Sequence, residues 1–139
     1  MRYALLVYSD QSSWAELSDE EQARQREESM PGWNALFGEL VAADPNVVGK
    51  ELEEATAAKT VRVVDGEVLV TDGPFPETKE QIGGILILEA RDLNHAIQLI
   101  SKHPGVRGGP FEIRPVVDMS GMLAESERRR SRSKPPQAS

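Results

Sequence analysis

The stretch KTVRVVDGEVLVTD, residues 59–72, restricts the fold more than any other part of the chain. Two runs rich in β-branched residues meet at Asp65-Gly66, a favoured pair for the two-residue hairpin turn whose twist matches that of its strands. With the turn fixed, the register follows by counting. Val64 faces Glu67, Val63 faces Val68, Arg62 faces Leu69 and Val61 faces Val70. Val61, Val63, Val68 and Val70 therefore share one face of the ribbon. Extending the ladder sets Lys59 opposite Asp72, and Asp72, two residues after Val70, projects from the valine face.

The remaining elements follow from period and punctuation. Residues 3–8, YALLVY, form a short β-rich run that is apolar on both alternating faces. Ser18-Asp19-Glu20-Glu21 has the form of a capping box and opens a helix whose acidic first turn suits the macrodipole. Met30, Trp33, Leu36, Phe37 and Leu40 give that helix an apolar stripe, and Pro31 is expected to kink or restart it. Asp44-Pro45-Asn46 ends the helix, and residues 47–54 read as a strand. Residues 82–89, IGGILILE, are a further strand with two apolar faces. Asp92 caps a second helix with Leu93, Ala96, Ile97 and Ile100 as its buried stripe, ending near His103-Pro104-Gly105. Residues 111–117 close the series, with Pro115 placing that strand at an edge or at its own end.

Strand, helix, strand, hairpin, strand, helix, strand is an α+β order whose antiparallel sheet carries its helices on one face. Such a sheet normally leaves its other face polar, yet two of these strands are apolar on both faces. A second copy of the chain is the simplest cover, so a homodimer packed through sheet faces is expected.

Bulk properties bound the chemistry. A chain of 139 residues is the size of one domain, and the absence of cysteine excludes disulfides, zinc-thiolate sites and cysteine nucleophiles. From Ser120 onward four arginines and Lys134 stand against Glu125 and Glu127, a net +3 that leaves the rest of the chain at −10. An acidic body is a poor nucleic-acid surface. The basic tail, residues 119–139, has few apolar residues and is expected to be disordered, with weak contact to an anionic partner as the alternative. The opening run lacks the length and cleavage site of a secretory signal, and no run is long enough for a membrane span, so a soluble cytoplasmic protein is expected.

The segment after Asp72 spans about ten residues, more than a hairpin needs, and loops of that length are often functional. Pro74 and Pro76 stiffen its entry, and Phe75 is expected to anchor it in apolar surroundings. Two readings of Asp72 stand side by side. It pairs with Lys59 within the turn, or it sits partly desolvated at the rim of the apolar face and serves as a general base or ligand anchor. Glu77, Lys79 and Glu80 read as solvated, with Lys79 also a candidate ligand contact. Arg114 is expected to pair with Glu112, or to hold a small anion. Tyr8 either fills the core or reaches the same cleft, and Lys59 and Phe75 complete the candidate ligand contacts. His95 falls off its helix's apolar stripe, and His103 stands where a positive charge suits a helix end. Neither has a second histidine at ligand spacing, so no metal or cofactor is expected. Gly108-Gly109-Pro110-Phe111 echoes Asp72-Gly73-Pro74-Phe75 without matching flanks and reads as reused turn chemistry.

Thr71-Asp72-Gly73-Pro74-Phe75, followed by Glu77-Thr78-Lys79-Glu80-Gln81 and Gly83-Gly84, resembles the signature of DGPF-domain proteins in the YCII-related family. The opening YALLVYSD, the pattern Trp14, Leu17, Ser18, the VRVVDGEVLVTDGPF hairpin and the closing EIRPV support the resemblance over residues 1–118. It implies a ferredoxin-like antiparallel sheet with two helices on one face and an extra β-hairpin, paired into a dimeric α/β barrel. Some relatives in the wider group resemble small lyases or dehalogenating enzymes with a histidine and an aspartate in the cleft. DGPF proteins are associated with extracytoplasmic-function sigma factors. The first long helix here has no histidine, which speaks against a histidine-based enzyme. The leading expectation is a homodimeric regulatory module that binds a small ligand or a protein partner, with regulation linked to a sigma factor as the form that the resemblance implies. The alternative is a lyase- or isomerase-like enzyme acting on a small organic acid, with Asp72 as acid or base and Arg114 as anion anchor; a purely structural role is a further alternative.

Overall fold

A computed structural model describes residues 1–75, 79–103 and 109–135. Four strands make one antiparallel sheet: β1 (Arg2–Ser9), β2 (Val48–Glu51), β5 (Gln81–Glu89) and β6 (Phe111–Pro115), in the order β2-β5-β1-β6. Between β1 and β2 run a short helix, α1 (Gln11–Ala15), and a long one, α2 (Asp19–Ala43). Helix α3 (Leu93–Ile100) joins β5 to β6. Each crossover skips one strand, which gives the ferredoxin-like topology. The second sheet is the ribbon of β3 (Lys59–Val64) and β4 (Glu67–Asp72), inserted between β2 and β5 after a 3₁₀ turn at Ala55–Ala57. Its register is the one counted from the sequence, Lys59 opposite Asp72 included. Asp65 (φ 51°) and Gly66 (φ 79°) supply the two left-handed positions that such a turn demands.

Side-chain alternation divides the four-stranded sheet. Tyr3 and Leu5 of β1 and Leu86 and Leu88 of β5 point to one face, where they are buried with Leu36 and Leu40 of α2 and Ala96, Leu99 and Ile100 of α3. The opposite face carries Ala4, Leu6, Tyr8, Ile82, Ile85, Ile87 and Val48, and none of these is buried. Among the described residues no helix buries this apolar face.

Caps behave as their residue types dictate. Ser18 Oγ accepts from the Glu21 amide at 3.1 Å and Asp92 Oδ1 from the His95 amide at 2.8 Å. Asp44 closes α2 from inside the fold: its carboxylate, 6% exposed, accepts from the Asn46 amide at 2.9 Å and from the Glu89 amide of β5 at 3.1 Å. Pro31 does not restart α2, which runs continuously from Asp19 to Ala43. Only Leu36 and Leu40 of its expected stripe are buried, whereas Met30 and Phe37 are exposed; Phe37 lies between the two buried leucines in sequence, so it points away from the face they bury. On α3 the buried set is Ala96, Leu99 and Ile100; Leu93 and Ile97 face outward, so the stripe is rotated from the one expected.

Two further readings change. Residues 52–54 of the expected second strand lie outside β2, where the chain turns toward the 3₁₀ segment. The tail expected to be disordered carries a helix, α4 (Ser120–Ser133), none of whose residues is buried. Glu125 pairs with Arg128 at 2.6 Å and with Arg129 at 3.1 Å, and Glu127 with Arg130 at 3.5 Å, so charge pairs at helical spacing take the place of apolar packing. As expected, β6 is an edge strand and ends at Pro115.

Candidate functional site

The residues singled out in the sequence fall into two places. The first is the root of the ribbon. Asp72 is 86% exposed and forms an ion pair with Lys59 across the ladder, so in the single chain its carboxylate is solvated rather than withdrawn from water. Gly73, at φ 91°, turns the backbone back: its amide donates to the Ala58 carbonyl at 2.8 Å and its carbonyl accepts from Thr60 Oγ1 at 2.7 Å. These bonds make the turn after β4 a fixed corner. Phe75 is 69% exposed and does not anchor in apolar surroundings; its ring lies 4.6 Å below the Arg62 guanidinium, which meets the ring's negative face. Pro76, Glu77 and Thr78 lie outside the described residues.

The second place is the end of the open sheet face. Here Tyr8, Glu80, Pro110, Phe111 and Glu112 line an open hollow of about 380 Å³. Tyr8 and Glu112 share the open face with Arg114, since Leu6 pairs with Glu112 and Ala4 with Arg114 across the β1/β6 ladder. Arg114 Nε donates to Glu112 Oε2 at 3.1 Å and its terminal nitrogen to Oε1 at 3.3 Å. Glu112 thereby holds the guanidinium more firmly charged, with a smaller contribution from Tyr8.

Tyr8 owes its position to two irregularities. The β1/β5 register slips after Val7, with Val7 opposite Gly84 and Tyr8 opposite Ile82, which makes Gly83 the extra residue of a bulge. On the other side the Tyr8 amide donates to the Pro110 carbonyl at 3.1 Å. A Cβ on Gly109 would lie 1.9 Å from the Tyr8 carbonyl oxygen, so only glycine lets the backbones approach this closely.

Asp10 links the two places and was not foreseen. It caps α1, accepting from Ser12 Oγ at 2.6 Å, Ser13 Oγ at 2.8 Å and both amides, and these bonds hold its carboxyl well below the usual carboxylate range. Lys79 Nζ approaches it at 3.6 Å, tying the end of the loop after β4 to the end of β1. An Asp-x-Ser-Ser pattern directly after a strand is the signal that marks this cap. Glu80 and Phe111 of the hollow had no sequence signal beyond their neighbourhood.

The histidines lie elsewhere. His95 Nδ1 accepts from the Arg91 amide at 3.2 Å. His103 is not a charge at a helix end: it is 3% exposed, its ring centroid 3.5 Å from that of Trp33 and 4.8 Å from that of Phe111, and burial lowers its pKa to about 4. Among the described residues no three His, Asp or Glu side chains are grouped to hold a metal ion, and no helix is long and apolar enough to cross a membrane.

Taken with the topology, these features define an α+β protein of ferredoxin-like fold with an apolar open sheet face, a hollow at one end of it lined by Tyr8, Glu80 and Glu112, and a projecting ribbon. The sequence matches the YCII-related domain over residues 1–120, and the chain belongs to the YCII-related family. An uncharacterised protein of Rhizobium meliloti (strain 1021) is 35% identical over 120 residues, covering 84% of this chain and 92% of that one.

Proposed function

We propose that this protein is a homodimeric ligand-binding module whose ligand is a small organic acid anion, held on the open sheet face beside Tyr8 and Glu112 and within reach of the Arg114 side chain. The observation that carries this reading is the hollow lined by Tyr8, Glu80, Pro110, Phe111 and Glu112, with Arg114, bonded to Glu112, supplying a cation on the same sheet face beside it. In the single chain the hollow is open. A second sheet packed against Leu6, Ile85 and Ile87 would enclose it and strengthen the pull of Arg114 on a carboxylate. The output is regulatory, by binding of an extracytoplasmic-function sigma factor, the form that resemblance to DGPF proteins suggests.

A thermal-shift screen of organic acids against wild type, Arg114→Gln and Asp72→Ala tests the site. A ligand that raises the melting temperature of wild type and Asp72→Ala but not of Arg114→Gln supports it. A ligand that requires Asp72 and not Arg114 moves the site to the ribbon root and favours the second reading, an enzyme with Asp72 as acid or base. That second reading is supported by the position of Asp72 on the valine face, and it requires cover that removes the carboxylate from water. Titration of the ligand-loaded and ligand-free protein with an extracytoplasmic-function sigma factor from the same genome tests the output; equal binding in both states refutes ligand-controlled regulation.

A further inference from the structure

Two apolar surfaces stand uncovered at opposite corners of the molecule. One is the valine face of the β3–β4 ribbon, whose four valines are each 61–70% exposed. A two-stranded ribbon is marginal without packing on a face, so this one requires a partner surface. The other is the first turn of α4, where Met119, Met122 and Leu123, at i, i+3 and i+4, are 51%, 68% and 62% exposed, with Val117 beside them.

The topology keeps the two apart in one chain. β2 and β6 are the two edges of the sheet, and they run in opposite directions. The ribbon leaves from the end of β2 and α4 follows the end of β6, so they depart from diagonally opposite corners. For two sheets packed face to face, a two-fold axis between them along the other diagonal exchanges those corners. Each ribbon then meets the α4 of the other copy. Six residues of strand span about 20 Å and fourteen of helix about 21 Å, so the two match in length. Charge agrees as well: Glu51, Glu53 and Glu54 line a second open hollow, with Thr56 and Ala57, beside the ribbon root, whereas the chain from Ser120 onward carries net +3 against a body of −10.

We propose that α4 of a second copy lies across the valine face of the β3–β4 ribbon, with Met119, Met122 and Leu123 on Val61, Val63, Val68 and Val70, and its arginines toward Glu51, Glu53 and Glu54. The arrangement rests on the homodimer reading and adds a reciprocal clasp to it.

The chain has no cysteine, so engineered thiols report without background. Val63→Cys and Leu123→Cys chains, differently tagged and co-expressed, are oxidised and resolved on non-reducing gels; Val68→Cys with Met122→Cys repeats the test at a second geometry. The expected result is a heterodisulfide between chains at least about tenfold over either homodisulfide, because docking raises the local thiol concentration. A dominant Val63→Cys homodisulfide, meaning ribbon stacked on ribbon, overturns the proposal, as does a statistical mixture at both geometries. Light scattering on wild type separates the two levels. A monomer overturns the homodimer and the clasp together, whereas a dimer without the heterodisulfide overturns only the clasp.

Discussion

Lowering the pH from 7.5 to 5.0 should destabilise this protein through His103. The ring is packed against Trp33 and Phe111 and is 3% exposed, and burial holds its folded-state pKa at about 4 against 6.5 in the unfolded chain. A group whose folded pKa is depressed contributes its stability above the unfolded value, and that contribution is lost as pH falls through the window between the two. Below pH 6.5 the unfolded chain takes up the proton while the folded chain refuses it. At pH 7.5 the effect is negligible; at pH 5.0 linkage gives a loss of about 2 kcal/mol. Asp10 does not interfere, because its depressed pKa acts in the same direction only as pH falls below its ordinary value of 3.8. The assay is urea unfolding at fixed ionic strength and protein concentration. With a slope of about 1.5 kcal/mol/M the wild-type midpoint should drop by roughly 1.3 M between the two pH values. His103→Gln carries no titrating ring, so its midpoint starts lower and should be nearly flat over the same interval. An equal drop in wild type and His103→Gln would mean that the loss does not come from the His103 ring.

Other expectations can be checked with the same instruments. Gly109→Ala forces a Cβ to 1.9 Å from the Tyr8 carbonyl and should cost more than about 2 kcal/mol in chemical unfolding, with near-ultraviolet circular dichroism reporting the displaced Tyr8. Asp44→Ala leaves the amides of Asn46 and Glu89 without their buried acceptor and should cost about 3 kcal/mol, measured by the urea midpoint. Ser18→Ala removes the cap of α2 and should cost about 1 kcal/mol in the same measurement. Asp72→Asn breaks only an exposed ion pair and should leave the melting temperature nearly unchanged; a large loss would mean that the carboxylate is covered in the assembled protein.

The candidate site was legible in part. Pairing of Arg114 with Glu112 follows from their two-residue spacing on one strand, and Tyr8 and Arg114 share a face because β1 and β6 are neighbours. The bulge at Gly83 and the close approach of Gly109 to Tyr8, which set where the phenol stands, required the strand order, since both depend on what lies alongside rather than on what precedes in the chain. Phe75 differs from expectation for a related reason: a phenylalanine between prolines reads as an anchor, but an anchor needs an apolar wall, and the ring instead meets Arg62 of the ribbon.

Local features can be read from the chain alone. Asp65-Gly66 set the ribbon register, Ser18 and Asp92 set helix starts, and period-two alternation marked strands apolar on both sides, because turn geometry, capping and pleat act over a few residues. Which way each helix faces and what buries His103 depend on long-range packing. A 3.6-residue period defines a stripe but not its rotation against the sheet, and Leu99 rather than Ile97 is covered because α3 meets the sheet and α2 at that angle. His103 is neutral because Trp33 and Phe111, 70 residues before it and 8 after, close over it, and no window of sequence contains that contact.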